Sequence, residues 1–292
     1  MLKYTLTGFA DEISPDLDVQ MSVLDSLNIR HIEMRGVDRK NLCDYTVEDA
    51  KKIKERLDAR GFKLSAIGSP LGKIKITDPF EPHFEFFKHA CDLADLFETK
   101  RIRIFSYYID EGDDPAKYRD EVLRRTEIFV KEAQIRGILL QHENEKGIYG
   151  DNAERCLDLQ QNFYGDNFKC VFDPANFVQC KVETYPHAFG LLKDYITYMH
   201  IKDAHMDDGV VTVAGRGDGH VKEILTELSE RNYEGFLSLE PHLHTFVGFS
   251  DLEVGATNKA TEDAGLGGKL WTAAVTSLRG ILDEIGAVNA EA

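Results

Sequence analysis

The sequence predicts a single (β/α)₈ barrel, an α/β fold of the TIM-barrel type, on three observations. Eight short strand-like runs alternate with helical stretches along the 292 residues. Their spacing suits one βα unit each. Metal-capable side chains close the last four runs, at the strand ends where barrels keep their chemistry. An open doubly wound sheet usually has fewer strands. One domain spanning 1–292 is expected, with a short tail over 286–292.

In order, the runs are Tyr4–Phe9, Arg30–Arg35, Lys63–Ser69, Arg101–Ser106, Gly137–Glu143, Lys169–Asp173, Tyr195–Lys202 and Gly235–Glu240. From one run's end to the next the chain advances 26, 34, 37, 37, 30, 29 and 38 residues. Helix signals fill the intervals. Ser14-Pro15 reads as a start with a capping Ser and Pro in the first turn, and Thr46-Val47-Glu48-Asp49 resembles a capping box before Ala50–Ala59. Asp113–Arg136 is a long amphipathic stretch stopped by Gly137, and a last helix over Leu270–Ile285 follows the glycines of Gly265–Gly268.

Composition narrows the function classes. Hydrophobic residues are 42% and charged residues 29% of the chain, and no apolar run nears the ~20 residues that span a bilayer. Met1-Leu2-Lys3-Tyr4 lacks the pattern of a signal peptide, so a cytoplasmic location is expected. Five widely spaced cysteines without a Cys-x-x-Cys pair fit reduced thiols. A net charge of −16 repels nucleic-acid phosphates, so neither DNA nor RNA is an expected partner.

The last four runs suggest a site. Ile138-Leu139-Leu140 leads to Glu143, Val171-Phe172 to Asp173, Tyr198-Met199 to His200 and Leu237-Ser238-Leu239 to Glu240. A carboxylate or imidazole at the end of a buried strand needs water, a partner or a metal. Three carboxylates and one imidazole, without thiolate, favour a divalent cation: Mn²⁺ first, with Mg²⁺, Co²⁺ or Zn²⁺ as alternatives. Such an ion would polarise a carbonyl and stabilise an enediolate, with Glu143 and Glu240 moving protons from opposite sides of a bound sugar.

Neighbouring residues extend this reading. Glu145 would point the same way as Glu143, although Glu143 lies nearer the apolar run. Asn176 would reach substrate or cap a helix, Lys202 would hold a substrate oxygen or form an ion pair, and His242 and His244 would be ligands, proton carriers or loop residues. Gly215-Arg216-Gly217-Asp218-Gly219 lacks dinucleotide spacing but lies where many barrels bind anions, which would put Arg216 at the substrate. Glu33 would face the mouth, holding substrate hydroxyls or pairing with an inward Arg such as Arg103.

These residues, in this order, resemble the xylose isomerase-like TIM-barrel superfamily of sugar isomerases and epimerases. The resemblance covers nearly the whole chain, from Gly8-Phe9-Ala10-Asp11-Glu12 and Ile32-Glu33-Met34-Arg35 through His142-Glu143-Asn144, Phe172-Asp173-Pro174-Ala175-Asn176-Phe177 and His200-Ile201-Lys202-Asp203 to Leu239-Glu240-Pro241-His242. It implies that Glu143, Asp173, His200 and Glu240 bind one divalent metal, and that the two glutamates act as acid and base on a small sugar or cyclitol. Ketose 3-epimerases of this superfamily place a His three residues after the metal Asp, where this chain has Asn176. The His-x-Lys-Asp stretch is similar to that of inosose dehydratases, so dehydration is an alternative. Relatives that cleave C-glycosides work with a partner subunit. The resemblance leaves a homo-oligomer open, and an endonuclease IV-like nuclease or a non-catalytic sugar-binding barrel ranks lower.

Overall fold

The computed structural model describes residues 1–243, 261 and 263–291. Eight parallel strands carry it: β1 (Lys3–Gly8), β2 (His31–Met34), β3 (Lys63–Ile67), β4 (Arg101–Ile104), β5 (Leu139–Glu143), β6 (Phe168–Phe172), β7 (Ile196–Ile201) and β8 (Glu234–Leu239). Each lies within its predicted run or is displaced from it by one residue. Hydrogen-bonded neighbours run β2-β3-β4-β5-β6-β7-β8-β1, and the sheet curls until β1 lies beside β2. This is the TIM-barrel fold.

No backbone hydrogen bond joins β1 to β2 among the described residues. The segment predicted as a tail stitches this seam instead. Val288–Asn289 forms a ninth strand, β9, parallel to the start of β1. The Val288 N–H donates to Leu2 O at 2.9 Å, and the Ala290 N–H to Tyr4 O at 2.8 Å. Glu291 then comes within 2.8 Å of His31 Nδ1 at the foot of β2.

The helices flanking the barrel include α1 (Leu17–Ser26), α2 (Val47–Ala59), α3 (Glu81–Leu96), α4 (Arg119–Arg136), α5 (Ala153–Phe163), α6 (Pro174–Gln179), α7 (Phe189–Leu192), α8 (Val221–Glu230) and α9 (Gly265–Glu284). Thr46 caps α2 as expected, its hydroxyl accepting the Asp49 N–H at 3.1 Å. At α1 the cap is Asp16, not Ser14: the Asp16 carboxylate accepts from Asp18 and Val19. Gly137, at φ 65°, ends α4 as predicted. The final helix starts at Gly265 rather than Leu270 because its glycines enter the first turn. A Cβ on Gly267 would come within 2.3 Å of Ile13 O, so only glycine lets this turn approach the loop after β1.

Most apolar side chains pack between sheet and helices. A smaller interior group of Ala66, Val171 and Tyr198, with Phe236 against it, sits apart from that shell. The Ser65 hydroxyl links Thr7 Oγ1 at 2.7 Å to Tyr198 Oη at 3.0 Å. The interior is therefore packed, and room for substrate lies at the C-terminal ends of the strands.

Candidate metal and active site

Strand alternation builds the site in layers. Tyr198 pairs in register with Phe236, and one step higher His200 pairs with Ser238. The next step brings Lys202 Nζ within 3.0 Å of Glu240 Oε2 at the rim. Glu143 ends β5, and Asp173 directly follows β6, where its Oδ1 accepts the Asn176 N–H at 2.9 Å and caps α6.

Glu143, Asp173, His200 and Glu240 each offer one ligand atom, and these atoms lie within 4.8 Å of one another in a fully buried cluster. His200 Nδ1 is 2.9 Å from Glu143 Oε1, 3.7 Å from Glu240 Oε2 and 4.0 Å from Asp173 Oδ2. Its Nε2 lies 3.1 Å from Glu33 Oε2, which also accepts the Ser238 hydroxyl at 2.6 Å. With Nε2–H committed to Glu33, Nδ1 is the nitrogen that serves the cluster. Glu143 Oε2 and Asp173 Oδ2 are buried acceptors without a hydrogen-bond donor among the described residues. Each faces a cation instead, Arg103 at 3.2 Å and Lys202 at 3.0 Å. This compact set, rich in oxygen and free of thiolate, could hold a divalent metal.

Charge balance sets the protonation of the cluster. Burial pushes the Asp173 carboxyl up to about 7 against the pull of Lys202, with Glu143 and Glu240 adding to the rise. Burial also acts on Glu240, but Lys202, His242, His200 and Arg35 outweigh it and hold that carboxyl well below the usual carboxylate range. His200 is raised well above its ordinary value: burial opposes this, and the Glu143 and Glu33 carboxylates win. Lys202 is likewise raised, against burial, by Asp173 and Glu240.

Other predicted residues take defined places. Asn176 is buried and donates its amide to Glu143 Oε1 at 3.2 Å and to Asn144 O at 2.9 Å, so it braces a ligand. Glu33 is buried against His200; against that burial, His200 and the charge of Arg103, whose guanidinium pairs with Glu143 at 3.2 Å, help hold the Glu33 carboxyl down. Glu145 stands at the rim, paired with Lys73 at 3.0 Å. His242, at φ 47°, brings Nε2 to 3.3 Å from Glu12 Oε1 and 3.5 Å from Glu240 Oε1. His244 lies outside the described residues.

The glycine loop departs from expectation as an anion seat. Amides of Gly215, Gly217 and Gly219 donate to the Asp203 carboxylate at 2.9, 3.0 and 2.8 Å, and Ala204 adds a fourth bond at 2.9 Å. The chain's own carboxylate fills the nest that a phosphate would take. Arg216 is exposed, and its side chain makes no hydrogen bond or ion pair among the described residues. Sequence reasoning gave no role to Asp11, Glu12 and Arg35. The Arg35 guanidinium bonds Asp11 at 2.8 Å and Glu240 at 3.0 Å, with Glu12 3.4 Å away. The available signal was position, since these charges directly follow β1 and β2 at the same barrel end as the ligands.

The model of the xylose isomerase-like TIM barrel family matches residues 22–264. The chain belongs to that family. Three solved structures show how widely this xylose isomerase-like architecture is shared. The IolI protein, solved with a zinc atom bound, has a TM-score of 0.72 at 14% identity, with 96% of this chain and 99% of that one covered. D-psicose 3-epimerase from Clostridium cellulolyticum H10 gives 0.70 at 16%, covering 95% and 99%. The probable 3-DHS dehydratase AsbF from Bacillus anthracis gives 0.68 at 19%, covering 84% and 94%. At such identities the likeness shows the fold. No curated protein matches the sequence. No described helix of this xylose isomerase-like barrel is long and apolar enough to cross a membrane.

Proposed function

We propose that this barrel is a metal-dependent isomerase or epimerase that moves a proton next to the carbonyl of a small sugar, keto-sugar or cyclitol. The observation that carries the reading is the buried cluster of Glu143, Asp173, His200 and Glu240 at the C-terminal strand ends, ringed by Lys202, Arg35 and Arg103. These four residues would hold the ion, Mn²⁺ by preference. When bound, it supplies polarisation of a carbonyl and offsets the charge that develops on enolisation. Glu240, kept ionised by its cationic neighbours, is the proton acceptor. Glu143, from across the mouth, delivers a proton to the other face. Asn176 holds Glu143 in place, and Glu33 orients His200.

An unphosphorylated substrate suits this mouth. Arg35, Arg103, Lys202 and Lys73 already pair with carboxylates, and the glycine loop already binds Asp203. The fold is shared with a D-psicose 3-epimerase and a probable 3-DHS dehydratase, and removal of a proton next to a carbonyl is a first step that either class of reaction could use. Dehydration is the second reading. It is favoured by the Lys202 ammonium beside Glu240, which would hydrogen-bond a departing hydroxyl.

The test is deuterium exchange at the carbon next to the carbonyl, followed by NMR in D₂O over a panel of ketoses and inososes with Mn²⁺-loaded protein. Glu240→Gln should slow exchange by ~10²–10⁴-fold while elemental analysis still finds the ion. Asp173→Ala and His200→Ala should lose it. Unchanged exchange in Glu240→Gln would overturn the assignment of the base, and olefinic product signals would select dehydration.

A further inference from the structure

Two of the four candidate ligand oxygens already hold a cation. Lys202 Nζ lies 3.0 Å from Asp173 Oδ2 and 3.0 Å from Glu240 Oε2, the two oxygens that face His200 Nδ1 across the cluster. The lysine is 4% exposed, so water does not screen its charge. A divalent ion bonded to either oxygen at ~2.1 Å would sit within about 5 Å of the ammonium. In a buried site two such cations repel strongly. A second carboxylate lies on the same side: Glu145, two residues beyond Glu143 and paired with Lys73 at 3.0 Å, already feels the Lys202 charge. Lysine's four-carbon stem allows movement towards it without a shift of β7.

We infer that Lys202 is the resident cation of the metal-free cluster, and that a divalent ion enters by displacing its ammonium from Asp173 and Glu240 towards Glu145 and the substrate. The inference rests on the metal reading above and adds an exchange of cations to it. Without metal, the ammonium keeps buried carboxylates from facing one another unbalanced. With metal, the same lysine is released at the rim, where a substrate oxygen would meet it. Metal loading and the arming of Lys202 are then one event.

Lys202→Met and Lys202→Gln test it, alongside wild type. In EDTA, both variants should melt below wild type, because the buried acids lose their partner. Calorimetric titration with Mn²⁺ should show binding tightened by roughly tenfold or more, the scale of one buried charge partner removed, and Mn²⁺ should raise the melting temperature more than in wild type. A lysine that stood beside the metal and merely repelled it would tighten binding when removed, but would leave the EDTA melt unchanged. That result would overturn the exchange. Wild-type protein provides a readout that needs no variant: acetic anhydride labelling, read on the Lys202 peptide by mass spectrometry, should become faster with Mn²⁺. Equal labelling with and without bound Mn²⁺ would also overturn it. If only the variants bind Mn²⁺, Lys202 stands as occupant but displacement and the proposed metal chemistry both fall. If no protein binds it, both fall as well.

Discussion

Glu33 decides which nitrogen of His200 meets the cluster, since its carboxylate takes the Nε2 side at 3.1 Å and is itself fixed by Ser238. Glu33→Gln keeps the shape but lets the amide present either a donor or an acceptor, so the imidazole loses its fixed tautomer. Affinity for Mn²⁺ should fall by about 10–100-fold, as for other carboxylates behind a metal-bound His, and the melting temperature in EDTA should fall too, because buried His200 loses a charge partner. Calorimetry on the variant checks this, and wild-type affinity would remove Glu33 from the site. The ligands themselves were legible in the sequence because each ends or directly follows an apolar run. The depth of Glu33 was not. The pairing of β2 with β3 shifts register between Ile32 and Glu33, and a one-residue shift of that kind depends on both strands. Nor could spacing show that Asp203, three residues beyond His200, would claim the glycine amides for itself.

Among the helices and loops, α3 carries a titrating contact that is not part of the metal cluster. His83 Nε2 accepts the Gly72 N–H at 2.7 Å, so the ring must stay neutral there. Burial, helped by Arg125, depresses its pKa to about 4. The unfolded chain therefore binds the proton first, near the ordinary His value of ~6.5. Between that pH and about 4, ν is larger in the unfolded state, and stability falls as the solution is acidified. The full contribution is present above ~6.5 and amounts to roughly 3 kcal/mol. His83→Gln retains an acceptor for Gly72 without titrating, so urea denaturation at pH 7.5 and pH 5 should show a shallower loss than in wild type. A parallel loss would exclude His83 as the source. Gly72 itself sits at φ 86° with Phe105 O 2.0 Å from where a Cβ would be, which ties this loop to the end of β4. Strand positions could be read because apolar runs alternate with turns. Helix starts were less legible: Asp16 and Ser14 are both good caps, and only the path of the loop selects between them.

Taken whole, the barrel is held together at its seam by contributions from distant parts of the chain. Arg35, following β2, grips Asp11 and Glu12, following β1, at the rim. At the base, β9 lies along β1, and Glu291 reaches His31. A short terminal segment of mostly small residues, Gly286-Ala287-Val288-Asn289-Ala290-Glu291-Ala292, reads as a tail because a two-residue strand has too little pattern to show. Removing residues 287–292 should lower the melting temperature by several degrees, as expected for a loss of ~1–2 kcal/mol in hydrogen bonds, and leave Mn²⁺ affinity intact. Thermal melts and titration of the truncated protein would check both, and an unchanged melting temperature would deny the segment its role. A cylinder laced by side chains on one line and by backbone pairing elsewhere, down to a single register pair between β3 and β4, is mechanically uneven. Its compliance is concentrated between β1 and β2, so thermal opening should begin there. Amides of β2 that point towards β1 should exchange with D₂O sooner than those of β5, β6 and β7, each of which is paired with a neighbouring strand on both sides.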